Sequence, residues 1–448
     1  MLLRIIDDLD LARQTVLRRR AASAVELPEA IRITNRTVFG ADLDAESAVQ
    51  RIIAAVRTEG DAAVRRFTDA FDGQALDDLE VPKEEVERAW GEQPARVRQA
   101  LTLAAERIRW FHERSMPRSW YDFDGDSIFG QVYRPIARVG VYAPGGRAAY
   151  PSTVLMTIVP ARVAGVAEVI LCTPPGPNGL PNSGVLAAAR IAGADRVFRV
   201  GGAQAIAALA FGTESIPSVD KVVGPGNLFV ALAKQQVFGN VGIDQVAGPT
   251  ETLLIGDTSA SPAAAAADLL AQAEHDPLAT AILLTTEPGL AHAVAREVER
   301  QIHELPRRAI IAESLERNGA AIITPDIETA FDLANAFAPE HLCLLLRDAH
   351  SYLPRVRNAG GIFLGERSIE AIGDYTAGPS HVMPTGGTAR FASPLNVLDF
   401  LKLSNVFDVA PGLFAQIGPA AITLAEAEGL GGHAAAIRLR QGPEARGV

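Results

Sequence analysis

The sequence predicts an α/β protein with two sheet-centred, Rossmann-like lobes, a helical N-terminal region and a helical C-terminal tail. Three observations carry that expectation. Short β-branched runs alternate with stretches of helical spacing, the alternation occurs in two successive sets, and 448 residues exceed what one hydrophobic core ordinarily supports. Core material suffices for both lobes, since 48% of the residues are hydrophobic.

Residues 1–115 are read as helical and packed on the lobes. "ESAVQRIIAAVRTEGDAAVRRFTDAF" sets apolar residues at helical spacing with charges between them. Ahead of it, "LARQTVLRRRAAS" follows Asp7, Asp8 and Asp10; a transit peptide is acid-poor, so the run is read as a solvated helix. The first α/β lobe, 116–245, shows its strands in "ARVGVYAP", "VAEVILCTPP", "DRVFRVGG" and "VDKVVGPG". The second, 246–380, repeats the pattern in "ETLLIGD", "AILLTT", "AIITP" and "HLCLLLRD". Beyond 380 the strands are expected to stop: "LNVLDFLKLSNVF" and "LFAQIGPAAITLAEAEGLGGHAAAIRLR" read as a helical tail over 381–448.

Charge and cysteine content narrow the function. A net charge of -11 argues against nucleic-acid or anionic-membrane partners, which require a basic face, and points to small molecules. Two cysteines, Cys172 and Cys343, provide no disulfide framework and fit a reducing cytoplasm. No run approaches the ~18 apolar residues of a membrane span. Lysines number four, leaving few candidates for a Schiff base.

Four segments hold the chemistry. "DLLAQAEHDP" ends an alanine-rich helix, N-capped by Ser261, opened by Pro262 and stopped by Pro277, with Gln272 and His275 on one side. A helix that follows a strand points its C-terminus away from the strands' carboxyl ends, where ligands of open α/β sheets usually gather, so a site here lies at the other edge. Alone, the pair is better read as a polar helix end in which His275 caps carbonyls. "FAPEHLCLLL" puts Glu340 and His341 at the start of an apolar strand, a carboxylate and an imidazole suited to general base and acid work; a charged strand entry is the bland alternative. Asp374 and His381 lie in the glycine-rich "IGDYTAGPSHVMPTGGTAR". Glu428 and His433 flank a glycine break in "AEAEGLGGHAAA". Of eight histidines, His112, His292, His303 and His350 sit among surface-type charges, whereas His275, His341, His381 and His433 sit in these four segments. Imidazoles, a carboxylate and an amide oxygen suit a zinc ion.

"LLAQAEHDP", "APEHL", "GDYTAGPSHVMPTGGTARF" and "EAEGLGGHAAA", preceded in order by "VGVYAPGG", "GGAQAIAALAFGT", "VVGPGN" and "AGPTE", together resemble the histidinol dehydrogenase family. That resemblance implies a cytoplasmic homodimer that oxidises L-histidinol to L-histidine through L-histidinal, with one zinc ion per subunit and two NAD per turnover. It implies zinc ligands at Gln272, His275, Asp374 and His433, the last from the neighbouring subunit, on which the tail would pack. Substrate contacts fall on Thr250, Gln272, His275, His341, Asp374, His381, Glu428 and His433, and NAD contacts on Tyr142, Gln204 and Asn227. His341 matches the family's general base and Glu340 the carboxylate that activates water. Thr250 replaces an expected serine, and Ser380 stands where asparagine is common. No GxGxxG fingerprint follows a strand; "VVGPGNLFV" has glycines at a strand-to-helix turn with the wrong spacing, so NAD rests on the resemblance. A related zinc and NAD dehydrogenase of another small primary alcohol stays open, as does a thioester route through Cys343, two residues from His341.

Overall fold

The computed structural model describes residues 2–19, 29–145 and 149–441. Its strands, in chain order, are β1 (Arg4–Ile6), β2 (Trp120–Asp124), β3 (Ser127–Pro135), β4 (Arg138–Tyr142), β5 (Glu168–Cys172), β6 (Arg196–Phe198), β7 (Lys221–Val223), β8 (Gly242–Ile243), β9 (Glu251–Gly256), β10 (Thr280–Thr285), β11 (Gly319–Ile323), β12 (His341–Leu345), β13 (Gly361–Leu364) and β14 (Leu401–Asp408). They divide between two compact units, Met1–Ser115 with Ile136–Phe400, and Met116–Pro135 with Leu401–Val448.

The larger unit holds two parallel sheets of the same winding. One runs β6-β5-β4-β7-β8 and the other β1-β11-β10-β9-β12-β13. In each, the first lobe strand lies inside, the next two extend to one side and the following two to the other, so the strand order reverses beside β4 and beside β9. The run "TLLI" is unbroken because β9 is buried on both faces: Leu254 joins a core with Leu269, Leu283 and Val294, while Leu253 and Ile255 join another with Ile282, Phe331 and Phe337. The helices Ala45–Glu59 and Asp61–Asp72 bury Val49, Ile52, Val56, Val64 and Phe67 against Ile206 and Leu209 of the first lobe. Their apolar residues recur at helical spacing, and that stripe docks them.

Several sequence expectations are corrected. The N-terminal region is not wholly helical, since β1 pairs in parallel with β11 at the edge of the second sheet. The helix expected through the arginine run covers only Leu9–Gln14, and Arg19 turns inward, its guanidinium 3.6 Å from the Phe337 ring centroid and paired with Glu251. The remainder of that run, 20–23, lies outside the described residues. His112, expected on the surface, is fully buried. It sits four residues after Ile108 and eight after Ala104 on the buried face of the helix Ala95–Arg114, with Nδ1 against the Ile108 carbonyl at 2.9 Å.

The tail beyond 380 is not all helix, nor does 116–135 belong to the first lobe. β14 pairs antiparallel with β3, and β3 with β2, to make the three-stranded sheet of the smaller unit. Leu401, Leu403 and Phe407 recur at even spacing, a strand period obscured because the pairing residues lie far upstream. The helices Pro411–Ala427 and Gly431–Arg440 complete this unit around a small core of Ile422, Ala425 and Ala434. Its sheet exposes Trp120, Tyr121, Phe123, Leu403 and Phe407, and its helices expose Leu424 and Leu439.

Candidate active site at the amino edge of the second sheet

The helix Pro262–Ala273 follows β9 and returns along it, which carries its last turn to the amino edge of the sheet. Ser261 caps its start by accepting from the Ala264 N–H. Gln272 lies in the last turn, buried, and His275 follows the cap residue Glu274. Thr250 immediately precedes β9, and His341 opens β12 in register with Thr252. The end of this helix therefore lies away from the strands' carboxyl ends.

Glu340 stands just before β12, so the alternation that would send it and His341 to opposite faces has not begun. Its buried Oε2 accepts from the Thr250 hydroxyl at 2.5 Å and the Glu251 N–H at 3.0 Å, and lies 3.7 Å from His341 Nδ1. Burial pushes this carboxyl up to about 7, against the pull of His341 and its two donors. His341 Nδ1 lies 3.0 Å from the Glu251 carbonyl, which can only accept, so that nitrogen carries a proton, and in the neutral imidazole the lone pair is at Nε2. Nε2 is buried without a partner among the described residues. Before Glu340, the helix Ile327–Phe337 ends at Ala338 with φ 51°, the one non-glycine residue of positive φ among those described. An alanine held there is strained. Arg19 braces the turn by donating to the Phe337 carbonyl at 3.0 Å and the Ala338 carbonyl at 3.2 Å.

Two participants escaped the sequence reading. Arg19 is one. Glu370 is the other: it opens the short helix Glu370–Tyr375, is fully buried, and brings Oε1 to 3.4 Å from His341 Nδ1. Burial, reinforced by Asp374, keeps its carboxyl protonated well above the usual range. Its spacing of four from Asp374 puts both on one helix face, a signal present in the sequence. The amide of Gln272 is best satisfied with its nitrogen on Glu370 Oε1 and its oxygen accepting from the Glu251 N–H at 2.7 Å.

His275 and Asp374 are electrostatic neighbours; burial lowers the affinity of the imidazole for a proton, and Asp374 opposes that. His381 is held at both ring nitrogens, Nδ1 to the Asp374 carbonyl at 2.9 Å and Nε2 to the Thr153 hydroxyl at 3.1 Å. Thr153 belongs to the helix Pro151–Ala164 of the first lobe, so this histidine links the lobes. Ser380 stays buried, bonded to the Met156 carbonyl of the same helix, and anchors the loop. Glu428 caps the helix Pro411–Ala427 and His433 lies in the first turn of Gly431–Arg440; both are exposed, in the smaller unit. Cys343 is buried, and burial pushes its thiol well above its ordinary value, opposing the thiolate that a thioester route requires.

Tyr142, Gln204 and Asn227 gather at the carboxyl edge of the first sheet. Tyr142 ends β4, and its hydroxyl accepts from the Gly202 N–H at 3.2 Å. Gln204 lies in the first turn of the helix Gly202–Phe211, and Asn227 caps Leu228–Val237 by accepting from Phe229 and Val230. Between them the turn after β7 approaches β4 so closely that a Cβ on Gly224, at φ 111°, would lie 2.1 Å from the Tyr142 carbonyl oxygen. The flanks of β4 and β7 form the crevice at the reversal of strand order. Gly146, from the segment that resembles the family's first NAD motif, lies outside the described residues.

The sequence model of histidinol dehydrogenase matches residues 36–441. The chain belongs to the histidinol dehydrogenase family. Within that family it is 50% identical to the enzyme of Synechococcus sp. over 92% of this chain and 95% of the relative, and 51% identical to that of Dehalococcoides mccartyi over 91% and 94%. The crystal structure of histidinol dehydrogenase from Elizabethkingia anophelis superposes with a TM-score of 0.90 at 34% identity, covering 98% of this chain and 97% of that one. The mixed α/β architecture is therefore the family's, and the chain is an oxidoreductase.

Proposed function

We propose that this member of the family oxidises L-histidinol to L-histidine by way of L-histidinal, in the cytoplasm, as a homodimer using one zinc ion per subunit and two NAD per turnover. The carrying observation is the buried pair at the entry of β12. His341 presents an unpartnered Nε2 while its Nδ1 is tied to backbone, the form of a general base that can take the alcohol proton. Glu340, with its carboxyl pushed up to about 7, is poised near neutral pH to take a proton from the water that hydrates the aldehyde. Thr250 orients that carboxylate through its hydroxyl, the function expected of the serine it replaces. His381 and Glu428 are assigned to the substrate's polar groups.

When bound, NAD accepts the hydride and zinc acts as a Lewis acid toward the substrate. The donor chemistry fits zinc at His275, whose affinity for a proton burial lowers, and at its neighbour Asp374. Gln272 is assigned as a third ligand, although its oxygen already takes the Glu251 N–H and must exchange it. Among the described residues no third His, Cys, Asp or Glu joins this pair, and His433 of a second copy is the assigned fourth ligand. The exposed apolar residues of β2 and β14, on both faces of the sheet, with Leu424 and Leu439, support a subunit contact through the smaller unit. Among the described residues no helix is long and apolar enough to cross a membrane.

The deciding experiment is turnover: purified protein with L-histidinol and NAD should release two NADH for each L-histidine formed. Failure to reduce NAD with L-histidinol, alongside reduction with another small primary alcohol, overturns the substrate assignment.

A further inference from the structure

Two polar side chains at the carboxyl edge of the first sheet serve no purpose within the fold. Gln204 is 1% exposed and neither of its amide atoms has a hydrogen-bond partner among the described residues; Asp72 is half-buried, with its Oδ2 shielded from solvent and unpartnered among the described residues. Buried polar atoms are ordinarily satisfied, because leaving one bare forfeits its hydration. Two such groups on one edge call for a ligand.

Their proximity follows from helix geometry. The helix Asp61–Asp72 packs on Gly202–Phe211. Asp61, at the start of the first, accepts from the Thr213 hydroxyl at 2.5 Å and the Ser215 N–H at 3.3 Å, just beyond the end of the second. The two therefore run antiparallel. Twelve residues span roughly 18 Å and ten roughly 15 Å, so Asp72 arrives beside the first turn of its neighbour, which contains Gln204. The ionisation of Tyr142, at the end of β4, is opposed by burial and by the charge of Asp72, which puts the carboxylate in the same crevice. Among the described residues no lysine or arginine is bonded to it, and burial alone raises its pKa to about 6.

In sheets of this winding, an acidic residue after the second strand commonly accepts from the adenosine ribose of a dinucleotide. Here that strand, β5, ends in Cys172 and is followed by Thr173 and Pro174, with no carboxylate. We propose that Asp72, carried in by a helix from the N-terminal region, supplies the missing acceptor. Its carboxylate accepts hydrogen bonds from the adenosine ribose hydroxyls, Gln204 bonds beside it, and a 2′-phosphate is excluded. This rests on the reading of the first lobe as the NAD site. It adds a specificity residue from outside the strand-to-helix turns.

The test compares NAD and NADP turnover, with L-histidinol as donor, in the full-length protein and in Asp72→Asn, with thermal unfolding as a control for folding. A charge-assisted bond is worth roughly tenfold to a hundredfold in binding. Asp72→Asn should raise the KM for NAD at least about tenfold and lower the preference for NAD over NADP by a similar factor. The coenzyme-induced rise in Tm should shrink in parallel, while Asp72→Glu recovers part of the preference. An NAD analogue lacking the adenosine 2′-hydroxyl tests the same contact without touching the protein, and should lose a comparable factor on the natural sequence. If the natural protein reduces NAD but neither the analogue nor the asparagine variant differs, the role of Asp72 is overturned and the NAD reading stands. If NAD neither binds nor is reduced, both fall.

Discussion

Glu340→Gln separates the two half-reactions and also tests the cost of burying this carboxyl. Glu340 is 6% exposed, and its pKa moves from 4.5 to about 7, chiefly through burial. At ~1.36 kcal/mol per unit, that displacement corresponds to about 3 kcal/mol of stability linked to pH. The folded carboxyl holds its proton more tightly than the unfolded one, so this contribution is complete below pH 4.5 and lost as pH rises through about 7. Glutamine keeps an oxygen where the Thr250 hydroxyl and Glu251 N–H donate and removes the charge. Urea unfolding should therefore show the variant gaining up to about 3 kcal/mol over the natural protein at pH 8 and little at pH 4. In activity, oxidation of L-histidinol to L-histidinal should survive, whereas oxidation of supplied L-histidinal should fall by about 10² to 10⁴ and lose its rise with pH near 7. Equal loss in both half-reactions, or an aldehyde step whose pH profile matches that of the natural protein, refutes the division of labour between Glu340 and His341.

Three further outcomes follow from the assignments. His275→Ala and Asp374→Ala should each remove about one zinc per chain and abolish oxidation, as read by metal analysis of dialysed protein; full activity in a metal-free preparation contradicts the metal assignment. Cys343→Ala should retain most activity, and thiol reagents should act slowly, because the thiol is buried and its ionisation suppressed; a variant that accumulates aldehyde revives the thioester. A mixed dimer of His433→Ala and His275→Ala chains, isolated with two tags after joint refolding, should recover activity, since one of its two sites regains both natural halves; random mixing yields roughly a quarter of natural activity. A purified mixed dimer as inactive as its parents rejects the shared site.

The lobes were legible because parallel strands buried on both faces become short continuous apolar runs, such as "TLLI" in β9 and "LCLL" in β12. Gln272, His275, Glu340 and His341 stood out because polar groups interrupt that pattern at a helix end and a strand entry. What escaped reading depended on distant partners. Gln131 on β3 meets Asn405 on β14, 274 residues later, and local periodicity carries no trace of such pairing. His112 looked exposed because charges surround it in sequence, although its helix face is buried. Arg19 belonged visually to a solvated run, and only the fold reveals the turn at Ala338 that it braces.

The position of β1 bears on how the molecule is assembled. Arg4 sits opposite Ala320, and its guanidinium reaches the Gly319 carbonyl 315 residues away. During synthesis at about 5–20 residues per second, this segment leaves the ribosome on the order of tens of seconds before its template exists. Until β1 docks, the outer edge of β11 is uncovered, and an uncovered edge of a parallel sheet is an invitation to foreign strands. β1 must therefore stay unpaired until β11 has been made, so a strand synthesised before the whole first lobe closes the edge of the second.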